Sequence, residues 1–193
     1  MLTIRYVSKN PDKIAEVSSL LEQQNIKIIG ISAEIQELQT ANLKDLVHDK
    51  AIKAFAKVGR PLIVEHTGLF LPAFGNLPGG LTQPFWDQLK ANNFSTWFGR
   101  LSTNKAIAKS IIGYTDGKQV HYFIGKVSGR ISPEPRGDKK FGWDCVFIPD
   151  GDDLTFAELG DGKHRASMRH QALTKFARFL KKKVTTQPDQ KPL

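Results

Sequence analysis

The chain has 193 residues, of which 40% are hydrophobic and 24% are charged, a composition typical of one soluble globular domain. The net charge of +9 favours an anionic ligand or partner, although the basic residues are spread along the chain and form one dense run, Lys181–Lys183. No apolar run approaches the ~20 residues of a membrane helix, and a signal-peptide pattern is absent, so we expect a cytoplasmic protein. The single cysteine, Cys145, excludes an internal disulfide framework and a cysteine-rich metal site.

The first part of the chain alternates predicted strands and helices. The predicted elements are strands at 2–7, 26–29 and 62–64 and helices at 11–22 and 43–58. This βαβαβ order predicts an α/β fold with a mixed or parallel sheet covered by helices. Glu65 and His66 follow the third strand, and we expect them where a buried strand emerges into a turn, a common position for catalytic or binding groups.

A polar segment between the first strand and the first helix is a candidate phosphate site. Ser8 or Asn10 is expected to cap the helix, and Lys13 adds a positive charge. Free backbone N–H groups and the helix dipole favour anions at such a helix start. The glycine-rich lysine motif of a P-loop is absent, and many α/β proteins contain a similar turn, so this signal is weak by itself.

The second part of the chain predicts more strands and two further helical regions. The predicted elements are helices over 85–101, strands at 106–114 and 120–127, a short buried strand at 145–148 and a final helix around 167–180. Asp116-Gly117 lies between the two longer strands and is a strong hairpin signal. We expect one domain over residues 1–183, followed by a flexible polar tail at 184–193.

Several separated stretches match one family in its own order along the chain. They are Ser8-Lys9-Asn10-Pro11-Asp12-Lys13, Val64-Glu65-His66-Thr67-Gly68-Leu69, Leu77-Pro78-Gly79, Ser128-Gly129-Arg130-Ile131, Pro135-Arg136-Gly137, Phe141-Gly142-Trp143-Asp144, Thr155-Phe156-Ala157-Glu158-Leu159 and residues 163–172. The chain thus resembles the inosine triphosphate pyrophosphatase (Ham1-like) family, which cleaves inosine, deoxyinosine and xanthosine triphosphates to the monophosphate and pyrophosphate. The resemblance implies an elongated mixed β-sheet flanked by helices, with two lobes, a nucleotide cleft between them, and a homodimer.

The resemblance also implies roles for residues of this chain. The implied phosphate ligands are Ser8, Asn10, Lys13 and Lys50; the implied base-binding residues are Phe141, Trp143, Asp144, Lys163, Ser167 and Arg169; and the implied ligands of a nucleotide-bound Mg²⁺ are Glu37 and Glu65. An aromatic face suits a purine base. Lys163 and Arg169 are expected to donate to a 6-oxo group, where adenine carries an amino donor, and so to reject adenine.

Two functional positions depart from the family pattern. His66 stands where the family carries an acidic residue that is central to catalysis, and Met168 stands where the family has a histidine near the base. Mg²⁺ prefers oxygen ligands, whereas imidazole suits softer metals. Loss of a catalytic carboxylate removes rate more than affinity, because turnover depends on the placement of metal and water.

Three hypotheses follow for the function. The leading one is a binding protein for deoxyinosine or inosine triphosphate with impaired hydrolysis, acting as a sensor or regulatory subunit for an effector protein, for example in anti-phage defence. The second is an active house-cleaning pyrophosphatase that uses Glu65 and Glu37, with neutral His66 as the base. The third and weakest is a nucleic-acid-binding module that depends on the positive charge.

Overall fold

The computed structural model describes residues 2–160, 162 and 167–186. The strands in this part of the chain are β1 Leu2–Val7, β2 Ile26–Ile31, β3 Leu62–Leu71, β4 Leu77–Pro78, β5 Lys105–Thr115, β6 Val120–Ile131 and β7 Phe147–Pro149. The α-helices there are α1 Pro11–Glu22, α2 Leu43–Val58, α3 Thr82–Phe94, α4 Phe156–Leu159 and α5 Met168–Thr186. Short 3₁₀ turns lie at Pro72–Phe74, Gly79–Leu81 and Gly142–Cys145, and a π turn follows α3 at Ser95–Gly99.

One mixed sheet forms the centre of the molecule, as the sequence predicted. Its strands follow the order β2-β1-β3-β5-β6-β7, with β4 beside β3. β1 pairs in parallel with β2 and β3, because a helix connects each successive pair, and the remaining pairs are antiparallel. The predicted hairpin at Asp116-Gly117 joins β5 to β6, and Gly117 adopts a φ of +92° that favours glycine.

The central strand β3 is buried on both faces, and its residues belong to three separate hydrophobic cores. Ile63 packs with residues of α1 and α5, while its neighbours Leu62 and Val64 pack with α2, because successive side chains of a strand point to opposite faces. Further along β3, Leu69 belongs to a separate core with Phe94 and residues around β7. β3 therefore connects these cores.

Among the predicted boundaries that differ from the structure are those of the short buried strand and of the last helix. The expected strand at 145–148 begins only at Phe147, because Cys145 ends a 3₁₀ turn in which the Val146 N–H donates to the Trp143 carbonyl. Cys145 is buried there. The last helix continues to Thr186, so residues 184–186 of the expected tail are helical, since no glycine or proline lies between Met168 and Pro188 in the sequence. The rest of that tail lies outside the described residues.

None of the helices that the structure describes combines the length and the apolar character needed to cross a membrane.

Candidate functional site

Glu65 and His66 lie in the middle of β3 rather than at its end. Glu65 is opposite Ile112 and His66 is opposite Ile111 on β5, and the two residues are only 2% and 8% exposed. The expected turn is absent because pairing with β5 continues as far as Phe70. Gly68 permits this, since a Cβ there would overlap the Gly79 carbonyl oxygen. The two side chains are therefore fixed by a central strand.

Hydrogen bonds from three elements surround the Glu65 carboxylate. The Ser110 hydroxyl donates to Oε1 at 2.9 Å, and the Tyr6 hydroxyl donates to Oε2 at 3.3 Å. Arg169 donates from Nε to Oε1 at 2.8 Å and from Nη2 to Oε2 at 3.4 Å, and Lys13 Nζ lies 3.5 Å from Oε2. The carboxylate of Glu65 is thus a fully enclosed anion with cations on both oxygens.

This network shifts the pKa values of its members. Burial alone would raise the pKa of Glu65, but the charges of Arg169 and Lys13 and the hydrogen bonds to the carboxylate hold it well below its usual range. Burial acts against the charged form of Arg169, yet Glu65 and Glu16 raise its pKa above the ordinary value. For Lys13 burial prevails over the attraction of Glu65, and its pKa is lowered.

Glu37 reaches the same region from a segment without regular secondary structure, residues 32–42. Lysines of α2 hold that segment: Lys50 donates to Glu37 Oε1 at 2.6 Å, and Lys53 donates to the Gln36 carbonyl at 2.9 Å. His66 Nδ1 lies 3.6 Å from Glu37 Oε2. Burial would raise the pKa of Glu37, but the neighbouring His66 side chain and the charge of Lys50 lower it overall.

The start of α1 is already capped by its own sequence. The Asn10 side-chain oxygen accepts from the N–H groups of Asp12 and Lys13, at 2.9 and 3.1 Å, and the Ser8 hydroxyl accepts from the Asn10 N–H. The capping prediction for Asn10 is correct. The expectation of free N–H groups for phosphate is wrong for Asp12 and Lys13, because the cap uses them.

A cavity of about 340 Å³ brings together seven of the predicted site residues. They are Asn10, Lys13, Phe141, Trp143, Asp144, Ser167 and Arg169. Ser8, Glu37, Lys50, Glu65 and His66 lie outside its lining. The carboxylate of Glu65 nevertheless connects the two groups, because Lys13 and Arg169 contact it and also line the cavity. Lys163 lies outside the described residues.

The cavity wall contains aromatic and apolar side chains. Phe141 is 38% exposed and lines the cavity, whereas Trp143 packs edge-on against Phe147 in the core while also lining the cavity. Met168, at the position where the resemblance leads one to expect histidine, is buried in the same core. Its thioether replaces a hydrogen-bonding group with an apolar one.

Sequence reasoning missed three members of the Glu65 network. They are Tyr6, Glu16 and Ser110, of which Glu16 holds Arg169 through a 2.5 Å contact between Oε2 and Nη1. Glu16 follows Lys13 by three residues, so helical spacing places both on one face of α1. This spacing could have identified Glu16 as a neighbour of the phosphate site. Ser110 is a polar residue in an apolar strand, a weaker signal. Gln83, Trp86 and Asp87 of α3 also line the cavity and were not predicted as site residues.

The described side chains do not fit a resident metal ion. No group of three or more His, Cys, Asp or Glu residues among residues 2–160, 162 and 167–186 is arranged to hold one. Glu65 is enclosed, and Glu37 has Lys50 on one oxygen and His66 beside the other. The Mg²⁺ expected from the resemblance therefore lacks a protein ligand set in this part of the chain.

Comparison with known proteins places the chain in a family. Residues 4–179 match the Ham1 family. A dITP/XTP pyrophosphatase of Methanopyrus kandleri is 32% identical, with 95% of this chain and 98% of that protein covered. A dITP/XTP pyrophosphatase of Saccharolobus solfataricus is 34% identical, with 92% and 93% covered.

Solved structures share the fold. A HAM1 protein from Coxiella burnetii superposes with a TM-score of 0.81 at 26% identity, covering 94% of this chain and all of that chain. The Ham1 protein of Staphylococcus aureus has a TM-score of 0.77 at 22% identity, covering 94% and 99%, and supports the fold alone. The resemblance inferred from the motifs is confirmed: this chain belongs to the Ham1 family.

Proposed function

We propose that the cavity beside the Glu65 network binds the triphosphate of a 6-oxo purine, such as deoxyinosine, inosine or xanthosine triphosphate. The observation that carries the proposal is the joint lining of one cavity by cations, Lys13 and Arg169, and by the aromatic side chain of Phe141. Lys13 suits the phosphates and the ring suits the base, while Arg169 is the predicted donor to the 6-oxo group of that base. The names of the relatives, dITP/XTP pyrophosphatases, support the same class of ligand.

Two candidate functions share this binding step. In the first, the chain is a pyrophosphatase like its relatives: water attacks the α-phosphorus, the bond from that phosphorus to the bridging oxygen breaks, and monophosphate and pyrophosphate leave. The names of the relatives support this candidate. Lys13 and Lys50 are retained to neutralise phosphate charge, and His66 is the side chain available to accept the proton of the attacking water.

The second candidate is binding with little turnover, in which the chain acts as a nucleotide sensor or regulatory subunit and passes the bound state to a second copy or an effector protein. His66 is the observation that favours it. The resemblance implies a catalytic carboxylate at this position, whereas here an imidazole lies beside Glu37. We propose that turnover is slow for this reason, since the position of the attacking water depends on this side chain.

One experiment tests both steps. The pure protein is titrated with dITP and with dATP by calorimetry, and pyrophosphate release is followed in parallel. We expect dITP to bind at least about tenfold more tightly than dATP, because a 6-amino group leaves buried donors unmatched. Equal affinity for both nucleotides would refute the assigned ligand class. Rapid release from dITP would favour the first candidate, and tight binding with little release would favour the second.

The same preparations test assembly. Size measurement by light scattering, with and without dITP, distinguishes a monomer from the homodimer implied by the resemblance.

A further inference from the structure

We propose that this chain binds its triphosphate without needing a divalent metal ion. The phosphate side of the site contains cations, and residue 66 is a histidine. An acidic residue at that position would add a negative charge that a metal ion would have to offset. The inference rests on the nucleotide binding proposed above and concerns the same site. Lys13, Lys50 and His66 are the residues assigned to this role.

Glu65 is not available to a metal. Its side chain is fully buried, and Ser110, Tyr6, Arg169 and Lys13 together contact both carboxylate oxygens. A metal ion would have to displace Arg169 or Lys13 and recover the lost ion pairs inside the protein. Because an uncompensated buried cation is costly, this exchange is unfavourable. Glu65 therefore acts as the fixed counter-ion that holds Lys13 and Arg169 beside the cavity.

Glu37 is the remaining carboxylate of the predicted metal pair, and it is also engaged. Lys50 Nζ lies 2.6 Å from Oε1 and also donates to the Glu65 carbonyl at 3.3 Å. His66 Nδ1 lies 3.6 Å from Oε2. A single carboxylate whose oxygens face an ammonium group and an imidazole is a weak site for Mg²⁺, which requires several oxygen ligands in an octahedron.

The balance of charges around the site explains why a metal ion is not needed. Glu16 and Glu65 are matched by Arg169 and Lys13, and Glu37 is matched by Lys50. An acidic residue at position 66 would add a carboxylate beside Glu37 and the incoming phosphates, and the repulsion among these anions would require a divalent cation. An imidazole adds no negative charge, so position 66 contributes no repulsion towards the bound triphosphate that a divalent cation would have to offset.

The test compares dITP affinity in excess EDTA with affinity in Mg²⁺, measured by calorimetry. His66→Asp and His66→Asn are the paired variants, because they have nearly the same size and differ by one charge. For the native chain and for His66→Asn we expect less than about a threefold change between the two conditions. For His66→Asp we expect affinity to fall by about tenfold or more in EDTA, as repulsion from the added carboxylate is restored.

Each outcome of this test supports or overturns the proposal. A loss of more than about threefold by the native chain in EDTA overturns the proposal while leaving nucleotide binding intact. Metal dependence in both variants overturns the role given to charge at position 66. Absence of dITP binding in either condition refutes the proposed function and this inference with it. If His66→Asp does not fold, as judged by thermal melting, the native chain and His66→Asn still decide the metal requirement.

Discussion

The buried anion at Glu65 gives a quantitative prediction for stability. Glu65→Gln keeps the shape of the side chain and removes its charge. Part of the buried Arg169 then lacks a counter-ion, as does Lys13, whose side chain is 27% exposed at the cavity wall. Removing one partner of a buried ion pair costs about 3–5 kcal/mol. Because Arg169 retains Glu16, we expect a loss near the lower end, about 3 kcal/mol.

The assay is urea unfolding followed by circular dichroism, with Glu37→Gln as the matched control. The Glu37 side chain is 32% exposed and its ion pair with Lys50 is partly solvated, so we expect its loss to cost about 1 kcal/mol or less. In a domain of this size, about 3 kcal/mol corresponds to a decrease in Tm of roughly 6–12 °C. Equal losses for the two variants would refute the view that Glu65 is the buried counter-ion of this network.

Three further predictions concern pH, the base and the backbone. Because the folded-state pKa of Glu65 is depressed, its contribution to stability is complete above the pKa of an unfolded glutamate, about 4.3, and is lost as the pH falls towards the folded value. In urea unfolding at pH 2–7, the free energy of unfolding should therefore fall less steeply with acid in Glu65→Gln than in the native chain. Identical declines would contradict this. Phe141→Ala should weaken dITP binding by about tenfold in calorimetry. The control Trp97→Ala should leave binding unchanged, because Trp97 is 59% exposed and lies outside the cavity lining. Equal effects would refute the cavity assignment. Gly125→Ala should lower stability by more than about 2 kcal/mol in urea unfolding, since its Cβ would overlap the Met168 carbonyl at the start of α5, and a neutral effect would show that α5 can move away from β6.

The parts of the fold that depend on local sequence were predictable. Apolar spacing located α1 and α2, and Asp116-Gly117 located the β5–β6 hairpin, because periodicity and turn chemistry act over a few residues. The continuation of β3 through Glu65 and His66 was not predictable in this way. Polar residues there are tolerated because Ser110 on β5 and the distant Arg169 satisfy Glu65, and that pairing depends on tertiary structure.

For the candidate site too, the sequence predicted individual residues but not the contacts that depend on tertiary structure. Family motifs identified Lys13, Phe141 and Arg169, which the structure places around one cavity, and their roles there stay predictions. The contacts of Tyr6 and Ser110 with Glu65 arise from the register of β1, β3 and β5, which no single stretch of sequence specifies. The cap at Asn10 was correctly predicted, but its consequence, that N–H groups of α1 are already used, required the observed geometry.

The most direct test of the account is the rate of pyrophosphate release from dITP by the native chain and by His66→Asp, each at saturating nucleotide with Mg²⁺ present. In the proposed function the cavity binds the nucleotide, and we propose that the imidazole beside Glu37 restrains its hydrolysis. We therefore expect release by His66→Asp to exceed native release by about tenfold or more, a barrier difference of about 1.4 kcal/mol. Native release equal to or faster than that of the folded variant would contradict the role assigned to His66.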